Sequence, residues 1–85
     1  MKFGIQYDIQ PQKFLKKADK HIAQRIVDKT ETLLQDQPVP HDAKAIVGRH
    51  GVFRIRIGDY RVLYRVDNDN HHIIIFAIDI RERVY

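Results

Sequence analysis

The sequence predicts an α+β fold of order β-α-α-β-β-β, with an antiparallel four-stranded sheet packed against an N-terminal helical hairpin. Three observations carry this expectation. Apolar residues alternate from Phe3 to Ile9, take up helical spacing from Phe14 to Leu34, and alternate again from Val52. Pro38 and Pro40 separate the helical stretch from the second alternating run. Gly58-Asp59 lies inside that run, between two alternating halves, as the turn of a hairpin does. At 85 residues the chain supports one hydrophobic core, so one domain is expected across residues 1–85.

In the first strand Phe3, Ile5, Tyr7 and Ile9 form the buried face, and Lys2, Gly4, Gln6 and Asp8 the open one. Pro11 suits a first helical turn. From there to Asp36 the apolar positions, including Phe14, Leu15, Ile22, Ile26, Leu33 and Leu34, mark one helical face. Asp19 is a candidate N-cap that divides this stretch into a helical hairpin, with a single bent helix as the alternative. Residues 41–51, where Gly48 and Gly51 flank Arg49 and His50, read as a loop. Gly58 in the first central position specifies a type II′ turn, which pairs Ile57 with Tyr60, Ile55 with Val62 and Phe53 with Tyr64. The opposite face then pairs Arg56 with Arg61, Arg54 with Leu63 and Val52 with Arg65. Asp67 to Asn70 forms a turn. His71 to Ile80 forms the last strand, whose apolar run from Ile73 to Ile78 suits an interior position buried on both faces.

Hydrophobic residues at 44% and charged residues at 31% describe a globular chain and argue against a disordered tail. The longest apolar run is too short to cross a bilayer, and the alternating N-terminus is unlike a signal peptide, so a cytoplasmic protein without membrane contact is expected. With no cysteine, disulfides, thiolate metal sites and thiol nucleophiles are excluded. The net charge of +4 is concentrated: residues 44–66 carry Lys44, Arg49, Arg54, Arg56, Arg61 and Arg65 against Asp59 alone. Such a stripe attracts polyanions, RNA above all, through phosphate pairing and counterion release. Like charges facing across a strand pair cost roughly 0.2 to 1 kcal/mol, so Arg56 opposite Arg61 is a local penalty that a bound anion relieves.

The run Phe53-Arg-Ile-Arg-Ile-Gly-Asp-Tyr-Arg-Val-Leu-Tyr64, followed by Arg81-Glu-Arg-Val-Tyr85, resembles the RelE/ParE superfamily of bacterial and archaeal toxins, and the order of elements matches along the chain. The resemblance implies a RelE-like fold and a toxin of a type II toxin-antitoxin module. Its RelE-type members are ribosome-dependent endoribonucleases that cut mRNA in the A site without a metal or small-molecule cofactor. It further implies contacts with 16S rRNA and a cognate, RelB-like antitoxin. In that chemistry a 2′-hydroxyl attacks the adjacent phosphorus, so the enzyme aligns the nucleophile and neutralises phosphoryl charge.

Carried over by position, the resemblance assigns Arg61 and Arg81 to the scissile phosphate. Arg54 and Arg56 fall to the mRNA backbone and transition-state charge, and Tyr85 to positioning, stacking or proton exchange. Arg65, Arg49 and Lys44 complete the expected RNA contacts. Some relatives carry lysine where Arg54 and Arg56 stand; arginine stays protonated, so proton transfer falls to Tyr85, a histidine such as His50, or ribosomal RNA. The competing readings are a ParE-like inhibitor of DNA gyrase and a non-catalytic basic module. Residue by residue, plainer roles also exist: a solvated sheet face for the arginines, a hydrophobic cap for Tyr85, and core packing for Phe53, Tyr60 and Tyr64. Adjacent His71 and His72 point to opposite faces of a strand and make a poor chelating pair.

Overall fold

The computed structural model describes residues 2–80. In chain order they form β1 (Gly4–Tyr7), α1 (Ile9–Lys17), α2 (Lys20–Leu34), β2 (Lys44–Ala45), β3 (Val52–Ile57), β4 (Tyr60–Asp67) and β5 (His72–Ile80). Each helix starts at an aspartate. The Asp8 carboxylate accepts from the Ile9 N–H at 3.0 Å, and that of Asp19 from the His21 N–H at 3.1 Å. The cap at Asp19 makes the helical hairpin and removes the single bent helix. It is the cap at Asp8 that corrects Ile9: expected on the buried face of the first strand, this residue opens α1 and is 65% exposed.

Helix α2 buries Ile26, Thr30 and Leu34. Ile26 and Leu34 join Phe3, Ile55, Ile57, Val62, Tyr64, Ile73, Ile75 and Ile78 in one core between the helices and the sheet. No helix among the described residues is long and apolar enough to span a membrane.

All strands belong to one sheet of order β1-β5-β4-β3-β2. Two expectations are corrected here. The sheet has five strands, because Lys44 and Ala45, read as loop, pair antiparallel with Arg54 and Phe53 on the outer edge of β3. It is also mixed, because β1 runs parallel to β5, with Ile5 opposite Ile73 and Tyr7 opposite Ile75. The helical hairpin carries the chain from one sheet edge to the other, and the antiparallel meander of β3, β4 and β5 brings it back beside β1. The β3–β4 register is as expected at every pair, and Gly58 turns the hairpin at φ 61°.

Strand β5 contains a bulge. Leu63 pairs with Ala77 but Tyr64 pairs with Ile75, so Phe76 is an extra residue without a partner. The insertion shifts the alternation by one, which is why Ile73 and Ile75 are buried before it and Ile78 after it. Burial on both faces is not observed: Ile74, Phe76 and Ala77 are half-buried, because the helices cover only one side of the sheet.

Where β1 ends, a side chain continues its work. The amide of Gln10 donates to the Ile78 carbonyl at 3.0 Å and accepts from the Ile78 N–H at 2.9 Å, replacing a strand neighbour for β5. The chain after α2 is tied down similarly, by the Tyr64 hydroxyl donating to the Pro38 carbonyl at 2.7 Å. Replacing Gln10 with Glu keeps an acceptor but removes the donor to Ile78. The expected loss is about 1 to 3 kcal/mol of stability, measured as a lower urea midpoint with an unchanged m-value.

Candidate functional site

Burial of Ile55, Ile57, Val62 and Tyr64 under the helices fixes where their neighbours go, since successive strand residues point to opposite faces. Arg54, Arg56, Arg61 and Arg65 therefore share the helix-free face. Two like-charge pairs form there: Lys44 stands across from Arg54, and Arg56 across from Arg61. Across β5 the carboxylate of Asp79 stands opposite Arg61, yet among the described residues no salt bridge joins a carboxylate to any of these cations.

Lys44, Arg54 and Arg56 line a groove of about 350 Å³ together with Asp42. Arg61 lies beside them across β4. Its Nε is buried and has no hydrogen-bond partner among the described residues. An orphaned buried donor costs about 1 to 3 kcal/mol, which an oxygen acceptor supplied by a ligand would recover. Because Nε and one Nη of a guanidinium form a fork matched to two phosphate oxygens, Arg61 is poised for a bidentate contact. Arg65 is exposed on the same face, about 13 Å further along β4 at strand rise. The Arg49 guanidinium rests 5.7 Å from the centroid of Phe76, the bulge residue, a cation–π contact that holds it over this face of β5.

The face thus gathers Lys44, Arg54, Arg56 and Arg61 closely, with Arg65 and Arg49 at its margins. Arg81 and Tyr85 lie outside the described residues. His50 is exposed in the loop before β3 and is absent from the groove's described lining. The aromatic residues of the hairpin serve the core. Tyr60 meets Phe14 edge-on with centroids 5.9 Å apart, and Phe53 stacks on Tyr64 at 5.8 Å. Burial pushes the Tyr64 phenol above its usual range, in keeping with its role as a donor to the Pro38 carbonyl. No three His, Asp or Glu side chains gather as a metal-binding cluster among the described residues.

Asp42 was not foreseen as part of this site. It occupies a turn in which the Ala43 N–H donates to the Pro40 carbonyl at 2.9 Å. The Pro40-His41-Asp42 run, two residues before Lys44, was visible in the sequence, but β2 was not, and without that strand nothing placed Asp42 beside Arg54.

Comparison with known proteins assigns the family. The model describing the ParE toxin of the type II toxin-antitoxin system parDE matches residues 5–85. The chain belongs to the RelE/ParE toxin superfamily. A candidate toxin of Methanocaldococcus jannaschii designated RelE1 is 35% identical over 88 residues, covering 100% of this chain and 97% of the relative. The archaeal RelE–RelB complex of Pyrococcus horikoshii contains a chain that superposes with a TM-score of 0.83 at 28% identity, covering 99% of this toxin and 100% of that chain. A RelB–RelE complex of Methanococcus jannaschii gives a TM-score of 0.68 at 30% identity, covering 89% of this toxin and 90% of that chain. The RelE fold expected from the sequence is therefore present, with one more short strand and one parallel pairing than expected.

If the arginine face is held against its own repulsion, relieving that repulsion stabilises the toxin. Arg56→Thr is expected to raise stability by roughly 0.2 to 1 kcal/mol at low salt, measured by urea unfolding. The gain should vanish when the unmodified protein is saturated with a short polyphosphate.

Proposed function

We propose that this toxin is a ribosome-dependent, metal-independent mRNA endoribonuclease that cleaves A-site codons by attack of a 2′-hydroxyl on the adjacent phosphate. What supports this most is the cationic face, where Lys44 opposes Arg54 and Arg56 opposes Arg61 beside a buried Arg61 Nε that has no hydrogen-bond partner among the described residues. Stability offers no reason for that arrangement, whereas a phosphodiester satisfies every member of it. In this reading Arg61 and Arg81 clamp the scissile phosphate, Arg54 and Arg56 hold the backbone and meet the developing charge, and Tyr85 positions or stacks on the nucleotide. Arg49, Arg65 and Lys44 reach flanking mRNA phosphates and 16S rRNA. A cognate RelB-like antitoxin is the expected protein partner, a reading supported by the RelE–RelB complexes that the chain resembles.

A second reading is favoured by one observation, the match to the model of the ParE toxin. It makes the chain an inhibitor of DNA gyrase that leaves RNA intact.

Purified toxin added to a reconstituted translation reaction, with mapping of mRNA 5′ ends, tests the proposal. Cuts at codons in the A site are expected, and Arg61→Ala should slow them by at least about 100-fold, the usual cost of removing one charge-stabilising donor. A message left intact at stoichiometric toxin sinks the nuclease reading. Inhibition of gyrase supercoiling in the same preparation would install the second.

A further inference from the structure

We infer that Asp42 is the general base of this cleavage, accepting the proton of the attacking 2′-hydroxyl. The inference rests on the endoribonuclease reading above and names a residue that the resemblance does not supply. Among the described residues, the groove on the cationic face is lined by three cations, Lys44, Arg54 and Arg56, and by one carboxylate, Asp42. A surface meant only to hold phosphate gains nothing from a carboxylate, which repels it. Nor is Asp42 locked to a neighbour, since among the described residues it forms no salt bridge with any of them. Its backbone is fixed. The Pro40–Ala43 turn is closed by a 2.9 Å hydrogen bond, Pro40 is buried, Ala43 packs on the core, and Lys44 enters the sheet opposite Arg54. An exposed carboxylate is thus presented from a rigid turn into a space of about 350 Å³.

The reaction needs a proton acceptor that the guanidinium groups do not provide, because arginine stays protonated in proteins. The Lys44 ammonium has no lone pair while it holds its proton. His41 and His50 are exposed and absent from the groove's described lining. As the 2′-oxygen bonds to phosphorus, its proton passes to the Asp42 carboxylate. The bond from phosphorus to the 5′-oxygen breaks, that oxygen takes a proton from water, and the hydroxide left behind takes the proton from Asp42, which returns to its carboxylate form. The products are a 2′,3′-cyclic phosphate and a 5′-hydroxyl.

Single-turnover cleavage on programmed ribosomes tests this with Asp42→Asn and Asp42→Glu. Asp42→Asn should cleave at least about 100-fold more slowly than the unmodified toxin, while binding RNA as tightly or more tightly because a negative charge is gone. Asp42→Glu should recover about tenfold or more of that loss. The Asp42→Asn defect should persist on a substrate whose leaving 5′-oxygen is replaced by sulfur, since sulfur departs without a proton. Cleavage by Asp42→Asn within about threefold of the unmodified toxin overturns the assignment. So does a defect that disappears with the sulfur substrate, or one matched by an equal loss of binding. Should the unmodified toxin itself fail to cleave, the nuclease reading falls and this assignment with it. Cleavage by the unmodified toxin with Asp42→Asn unimpaired removes Asp42 alone.

Discussion

The register between β3 and β4 couples the core of the molecule to its charged surface. Ile55, Ile57, Val62 and Tyr64 must lie under the helices, and a one-residue slip of β4 against β3 would turn Arg61 and Arg65 into the core and Val62 and Tyr64 out of it. The hydrophobic effect, applied to one face, thereby holds Arg54, Arg56, Arg61 and Arg65 together on the other against their mutual repulsion. Burying one such side chain contributes about 1.5 to 3 kcal/mol, several times the cost of a facing like-charge pair. The core therefore outweighs the strain of the site with no salt bridge to these arginines among the described residues.

The rest of the fold extends this face and steadies it. The bulge at Phe76 turns an aromatic ring outward as the seat for Arg49 while keeping Ile73, Ile75 and Ile78 inside. Strand β2 adds Lys44 to the row and places the Asp42 turn at its end. On the far side of the sheet Gln10 completes the hydrogen bonding of β5 where β1 has run out. Arg61 is the point where these constraints meet, being half-buried, next to Arg56, and left with a donor that nothing in the described chain accepts.

The features legible in the sequence were local. The hairpin register came from one Gly-Asp turn and strict alternation, and the helix division from a cap at Asp19. The features that stayed hidden depend on contacts between distant segments. Parallel pairing of β1 with β5 leaves no mark in either strand, and β2 is too short to alternate. Ile9 continued the pattern of the first strand until Asp8, whose preference for capping outweighed it, began a helix instead. The half-open second face of β5 was misjudged because an apolar run reads the same whether two layers cover it or one. For the site, the arginines were foreseen by charge and pairing, but Asp42 depended on β2 and stayed hidden with it.

If this face serves to bind phosphates, the salt dependence of RNA binding shows it most directly. For single-stranded RNA, log K should fall with log salt at a slope of about −3, corresponding to four or so phosphates neutralised, and lose about 0.7 of that slope with each of Arg54→Ala, Arg56→Ala and Arg61→Ala. A slope near zero, or one that these substitutions leave unchanged, would contradict the account.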